Sequence, residues 1–171
     1  MLFPPPHHKG QTMNGLDRAS YALACNILSH TNEMTLATLR ADGSPHASTV
    51  SFASDGLTLY AAIAIDCHKA YEIREDGRVS LTVNAPFKEW NEIQGLSIDG
   101  VASLIDWPRG QAEASDALLR KLPAYAKLVG AAPPMPWPGM LFIKIVPKVL
   151  MLLDYTKRFG HTSRFEVDMA L

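Results

Sequence analysis

In the run Ile65-Asp66-Cys67-His68-Lys69 a strand-like apolar pattern gives way to a helical one. Free backbone amides at a helix N-terminus, joined by an ammonium, suit a phosphate dianion. Upstream, Ser48, Thr49 and Ser51 lie on one short segment. Their hydroxyls would donate to the same anion if the sheet folds back on the junction. Asp66 opposes an anion unless it turns away to cap the helix. Taken by itself, Lys69 also reads as an ordinary solvated side chain. Cys67 beside His68 and Lys69 could serve as a nucleophile, but chain neighbours rarely point the same way.

Other chemistries find little support. There is no Gly-x-Ser-x-Gly elbow, no His-Glu-x-x-His pair, and no glycine-rich phosphate loop. His30, His46, His68 and His161 are scattered, so no metal site is expected. His7 and His8 are adjacent, and such pairs near a terminus are more often inert than ligating. Two cysteines, Cys25 and Cys67, make neither a disulfide framework nor a zinc spacing, which favours a reducing compartment. The stretch Asp154-Tyr155-Thr156-Lys157-Arg158-Phe159-Gly160-His161 mixes cations and aromatics. It reads either as a cover for a planar acidic ligand or as an exposed basic tail.

The elements that must place these residues follow from periodicity. Leu16 to Ser29 repeats every three or four residues as an amphipathic helix, with Asn14 as its N-cap. Strands are predicted over Met34–Arg40, His46–Ala53 and Leu57–Ile65, with turns at Asp42-Gly43 and Asp55-Gly56. In the second strand Val50 and Phe52 alternate with Thr49 and Ser51, giving one apolar and one hydroxyl face. A short helix over Lys69–Glu75 leads to a fourth strand, Arg78–Asn84. A long strand over Ile93–Asp106 should bend at Gly95 or Gly100. A helix over Gly110–Val129 is split by Pro123, a proline-rich loop spans Ala131–Gly139, and Leu141–Asp154 forms two strands broken at Pro147. About seven strands with two or three helices suggest a small closed antiparallel barrel flanked by helices.

The chain has 171 residues, 47% of them hydrophobic and 19% charged, which fits one globular domain over 14–171. Residues 1–13, with three consecutive prolines, are expected to form a flexible arm. Sixteen Lys and Arg against seventeen Asp and Glu offer no global attraction for nucleic acid. No apolar stretch approaches the roughly 20 residues that span a bilayer, and no basic region precedes an apolar run at the N-terminus. No membrane partner and a cytoplasmic location are expected.

In order and spacing, Thr35-Leu36-Ala37-Thr38-Leu39, Asp42-Gly43-Ser44-Pro45-His46, Val50-Ser51-Phe52, Asp55-Gly56-Leu57-Thr58-Leu59-Tyr60, His68-Lys69-Ala70 and Arg78-Val79-Ser80-Leu81-Thr82 resemble the pyridoxamine 5'-phosphate oxidase-like family of FMN-binding split barrels. The resemblance implies a mainly β (α+β) fold, a split antiparallel barrel with flanking helices, and a homodimer with two FMN sites between subunits. By position, Ser48, Thr49, Val50 and Ser51 would line the ribityl chain and flavin edge, and His68 with Lys69 would hold the phosphate. Gln94, together with Trp90, would reach the isoalloxazine from the other subunit. The implied activity is flavin-linked oxidoreduction of a small molecule. Alternatives are a flavin or phospho-ligand binder without turnover, and a deazaflavin-dependent relative. The oxidase's C-terminal Arg-x-x-Asp-Arg motif does not occur after residue 140, so the likeness is to a branch other than the true oxidase.

Overall fold

The protein is described by a computed structural model covering residues 14–130 and 132–167; the expected N-terminal arm, with His7 and His8, lies outside the described residues. Along the chain come β1 (Asn14–Gly15), α1 (Arg18–His30), β2 (Glu33–Leu39), β3 (Pro45–Ser51), β4 (Ala53–Asp55), β5 (Thr58–Ala64), α2 (His68–Glu75), β6 (Arg78–Asn84), β7 (Gln94–Leu104), α3 (Pro108–Lys121), α4 (Ala126–Val129), β8 (Met140–Asp154) and β9 (Thr162–Glu166). Neighbouring strands run β1-β9-β8-β7-β6-β2-β3, and β5 branches from β8 with β4 beside it. This is the split-barrel α+β architecture.

Alternation builds the core. In β6 Val79, Leu81 and Val83 are buried while Arg78, Ser80, Thr82 and Asn84 face out. The same inward row continues through Leu36, Ile98 and Leu150. Gly43 (φ 80°) and Gly56 (φ 55°) occupy the left-handed conformation that the two expected hairpin turns demand.

Four expectations need correction. The N-cap of α1 is Asp17, whose carboxylate accepts from Ala19 N and Ser20 N at 2.9 Å; Asn14 instead pairs its backbone with Phe165 in β9. The second strand ends at Ser51, because Phe52 N donates to Asn32 O outside the ladder. Residues 141–154 form one strand rather than two. At Pro147 β8 changes partner, from β5 over Met140–Ile145 to β9 over Val149–Leu153, and its register against β7 shifts between Asp99 and Gly100 because Lys148 is an extra residue bulged out of β8. Gly100 faces Pro147 so closely that an added Cβ would lie 2.5 Å from Val146 O. Finally, the segment 154–161 is no tail after the last strand: it links β8 to β9, which pairs with β8 and buries Phe165.

A second core lies under α3. The proline-rich segment, expected as a loop, seals it with fully buried Trp137, which packs against Tyr125 and Phe142 and donates from Nε1 to Ser115 Oγ at 3.1 Å. Lys121 ties this side to α1. Its ammonium donates to Leu28 O and Thr31 O at 2.7 Å and sits 3.7 Å from the centre of the Phe52 ring. Burial pulls its pKa down to about 8.

Candidate functional site

The α2 junction and β3 come together. Cys67 is the N-cap of α2 but supplies no side-chain bond to it, and Asp66, exposed, does not cap it either. Ala70 N already donates to Cys67 O, which leaves the His68 and Lys69 amides open to an anion. His68 is exposed, and its ring stands edge-on to that of His46, 6.4 Å between centres. Lys69 is half-buried, and among the described residues its ammonium has no ion pair or hydrogen bond.

His46 is held from below by α2. Its Nδ1 lies 3.0 Å from Glu72 Oε2 and 3.1 Å from Oε1, and Thr38 Oγ1 donates to the same carboxylate. Burial pushes the Glu72 carboxyl up, but these hydrogen bonds outweigh it and hold the pKa below the usual value. An ionised carboxylate only accepts, so Nδ1 carries the hydrogen and Nε2 remains for another partner.

Ser48 lies two residues along β3 from His46, on the same face and about 7 Å away by strand rise. Its Oγ is buried and has no hydrogen-bond partner among the described residues. Orphaned hydroxyls of this kind are rare in folded proteins and call for an explanation. Strand alternation puts Thr49, exposed, and Ser51, half-buried, on the opposite face, so the three hydroxyls do not converge on one point. Val50 is 6% exposed and packs in the core, leaving only its backbone to line a site. The donor set fits a phosphate group: Lys69, the open α2 amides, the His46–His68 pair and the orphaned Ser48 hydroxyl. Glu72 is the opposing charge, and it is already engaged by His46 and Thr38. A groove of about 810 Å³ opens beside this corner, lined by Arg40, His68, Tyr71, Glu72 and Arg78.

Trp90 and Gln94 form a different corner. β7 is three strand spacings from β3, about 14 Å across the sheet. Trp90 sits on a 3-10 turn (Trp90–Glu92) closed by reciprocal Glu89 and Glu92 bonds, and is 59% exposed. Its ring meets Phe159 edge-on at 6.0 Å, and Phe159 packs on Tyr155 at 5.1 Å. The segment is pinned because Tyr155 N donates to Ile93 O. Gln94 Nε2 donates to Asp154 Oδ1 at 3.0 Å, where Thr156 Oγ1 also donates at 2.6 Å, and Lys157 Nζ lies 3.8 Å from Oδ2. Burial raises the Asp154 pKa, but the Thr156 and Gln94 bonds and the Lys157 charge more than offset it, leaving the carboxyl below its usual range.

Sequence reading missed His46, Glu72 and Asp154. The first two are far apart in the chain and nothing in their spacing joins them. Asp154 had a signal, an acid at an inward position of an apolar alternation. Among the described residues no group of three or more His, Cys, Asp or Glu side chains could hold a metal ion, and no helix is long and apolar enough to cross a membrane.

The same architecture recurs in solved structures. A heme binding protein from Mycobacterium smegmatis superposes with a TM-score of 0.71 at 22% identity, over 88% of this chain and 59% of its own. This chain thus spans less than two thirds of that protein. The heme storage protein HutZ from Vibrio cholerae gives 0.61 at 14% identity, covering 78% of this chain and 91% of its own. General Stress Protein 26 from Bacillus anthracis gives 0.57 at 19% identity, covering 78% and 92%. At such identities the likeness is one of fold. No curated protein matches the sequence. The family model for pyridoxamine 5'-phosphate oxidase matches residues 25–149, most of the chain and all of β2 to β7, and the protein belongs to that family.

Proposed function

We propose that the protein binds FMN as a homodimer and transfers electrons between the flavin and a small molecule in the cytoplasm. The observation that carries this reading is the buried Ser48 Oγ, without a partner among the described residues, on the strand whose His46 ring meets His68 at the uncapped start of α2. A phosphate there would satisfy these groups at once. Bound FMN would supply the redox chemistry, while the protein holds the phosphate and orients the ring. The outer face of the sheet supports a second copy: Val101 is 43% and Met151 37% exposed, and a groove of about 460 Å³ runs over Ala37, Ser80 and Val101. Such a face, ending at the β3 edge, suits a two-fold partner. Across that interface the Trp90–Gln94 corner of one subunit would meet the flavin of the other.

Titration with FMN followed by fluorescence quenching tests the reading. Micromolar or tighter binding, weakened in Lys69→Ala, supports it; a protein that ignores FMN rejects it, and preference for a deazaflavin coenzyme would redirect it. Bleaching by NADPH or NADH above that of free FMN distinguishes turnover from binding alone, and light scattering near 18.7 kDa would reject the dimer.

One observation favours a second reading, heme. Ligating histidines commonly hold their other ring nitrogen against a carboxylate, as His46 does with Glu72. Hemin titration of the wild type and of His46→Ala separates the two: a Soret shift lost in the variant promotes heme, and its absence leaves FMN.

A further inference from the structure

Asp154 is only 3% exposed, and Oδ1 gathers donors from Gln94 Nε2, Thr156 Oγ1 and Thr156 N. An ionised carboxylate offers no hydrogen, so the Gln94 atom facing it must be the NH2. The orientation of the amide is thereby settled by chemistry. The other end, Oε1, has no donor among the described residues. The neighbouring segments, joined where Tyr155 N donates to Ile93 O, carry the exposed rings of Trp90 and Phe159, 59% and 72%.

Oxidised isoalloxazine has a single ring N–H, at N3, while its remaining edge atoms N1, N5, O2 and O4 are acceptors. A carbonyl oxygen attracts the first and repels the others. We propose that Asp154 is a positioning residue that turns the Gln94 amide so that Oε1 accepts from the N3–H of the bound flavin. This rests on the FMN reading above. It makes the site selective for a planar ring with an N–H on the edge that reaches Gln94. A freely rotating glutamine would accept either edge.

The test titrates FMN and 3-methyl-FMN, which lacks that hydrogen, into the full chain and into Asp154→Ala, Asp154→Asn and Gln94→Leu. Wild type should favour FMN about tenfold, the worth of one hydrogen bond. Asp154→Ala and Gln94→Leu should bring the two flavins within about twofold of each other, a smaller loss than any one hydrogen bond. Asp154→Asn keeps a carbonyl acceptor at Oδ1 and should preserve the preference, a rescue that a merely structural role does not predict. Equal binding of the two flavins by wild type, or an undiminished preference in Asp154→Ala, overturns the proposal. Should that variant not fold, 15N-labelled FMN on the wild type decides: N3–H exchange with water slows if Gln94 holds it, and an unchanged rate overturns the proposal. Failure of wild type to bind either flavin overturns the FMN reading and this one together, whereas binding without discrimination overturns this one alone.

Discussion

The two corners of the sheet differ in how their polar groups are satisfied. At Asp154 each donor has an acceptor, and Gln94, Thr156 and Lys157 are held in place by one buried carboxylate. At the β3–α2 corner, among the described residues, Ser48 Oγ is buried without a partner and Lys69 has no counter-charge. A satisfied network stabilises the fold and fixes orientation, whereas an unsatisfied set costs stability that a ligand can restore. The first corner is built to position, the second to bind.

Substitutions can break that contrast. The largest effect is expected from Lys69→Ala, which should weaken FMN by about 2–3 kcal/mol, the range of a charge-assisted hydrogen bond, with the urea midpoint of the free protein unchanged. Asp154→Ala should do the reverse in kind, lowering apo stability by about 1–2 kcal/mol in urea melts, because half-buried Gln94 and exposed Thr156 lose the buried carboxylate that accepts their three hydrogen bonds. In acid the wild type should lose the part of this contribution that depends on the carboxylate's charge. With the folded carboxyl below its usual range, this stability is present above pH ~3.9 and disappears as pH falls through the lower folded value. Ser48→Ala sharpens the comparison through its sign: it should raise apo stability by about 1 kcal/mol in urea melts, while weakening FMN. A drop in apo stability would mean the hydroxyl already has a partner.

A pH effect of a different kind lies away from both corners. Lys121 titrates near 8 when folded against 10.5 ordinarily, so between those values the unfolded chain holds a proton that the folded one lacks, and stability should rise with pH across that interval. In Lys121→Met the urea midpoint should stay flat there.

Much of the β3–α2 corner could be read from the chain, because it depends on local signals. Asp-Gly turns set the hairpins, alternation sorted Val50 from Thr49, and His68-Lys69 fell where one period replaced another. The β6 bounds, Arg78–Asn84, were legible for the same reason: Asp76-Gly77 before them and Pro86 after them punctuate the strand. What escaped depends on distant partners. Pro147 argued for a break, yet β8 continues, because its neighbours change there and a bulge at Lys148 absorbs the irregularity against β7. Trp137 was hidden among prolines, and the His46–Glu72 bond joins a strand to a helix with no trace in their spacing. That convergence of Ser48 and Thr49 failed has a simple cause: adjacent strand residues face opposite ways.

The partner exchange along β8 also governs the order in which the molecule is assembled. Leu59 in β5 has its ladder partner at Ile145, and Gly95 in β7 has its own at Leu153. On a ribosome the early strands must therefore wait, edges bare, until most of the polypeptide has been synthesised. Native pairing of so long a reach closes slowly. During that delay the uncovered β5 and β7 edges are where a nascent chain would stick to its neighbours, and where a chaperone would have most to protect.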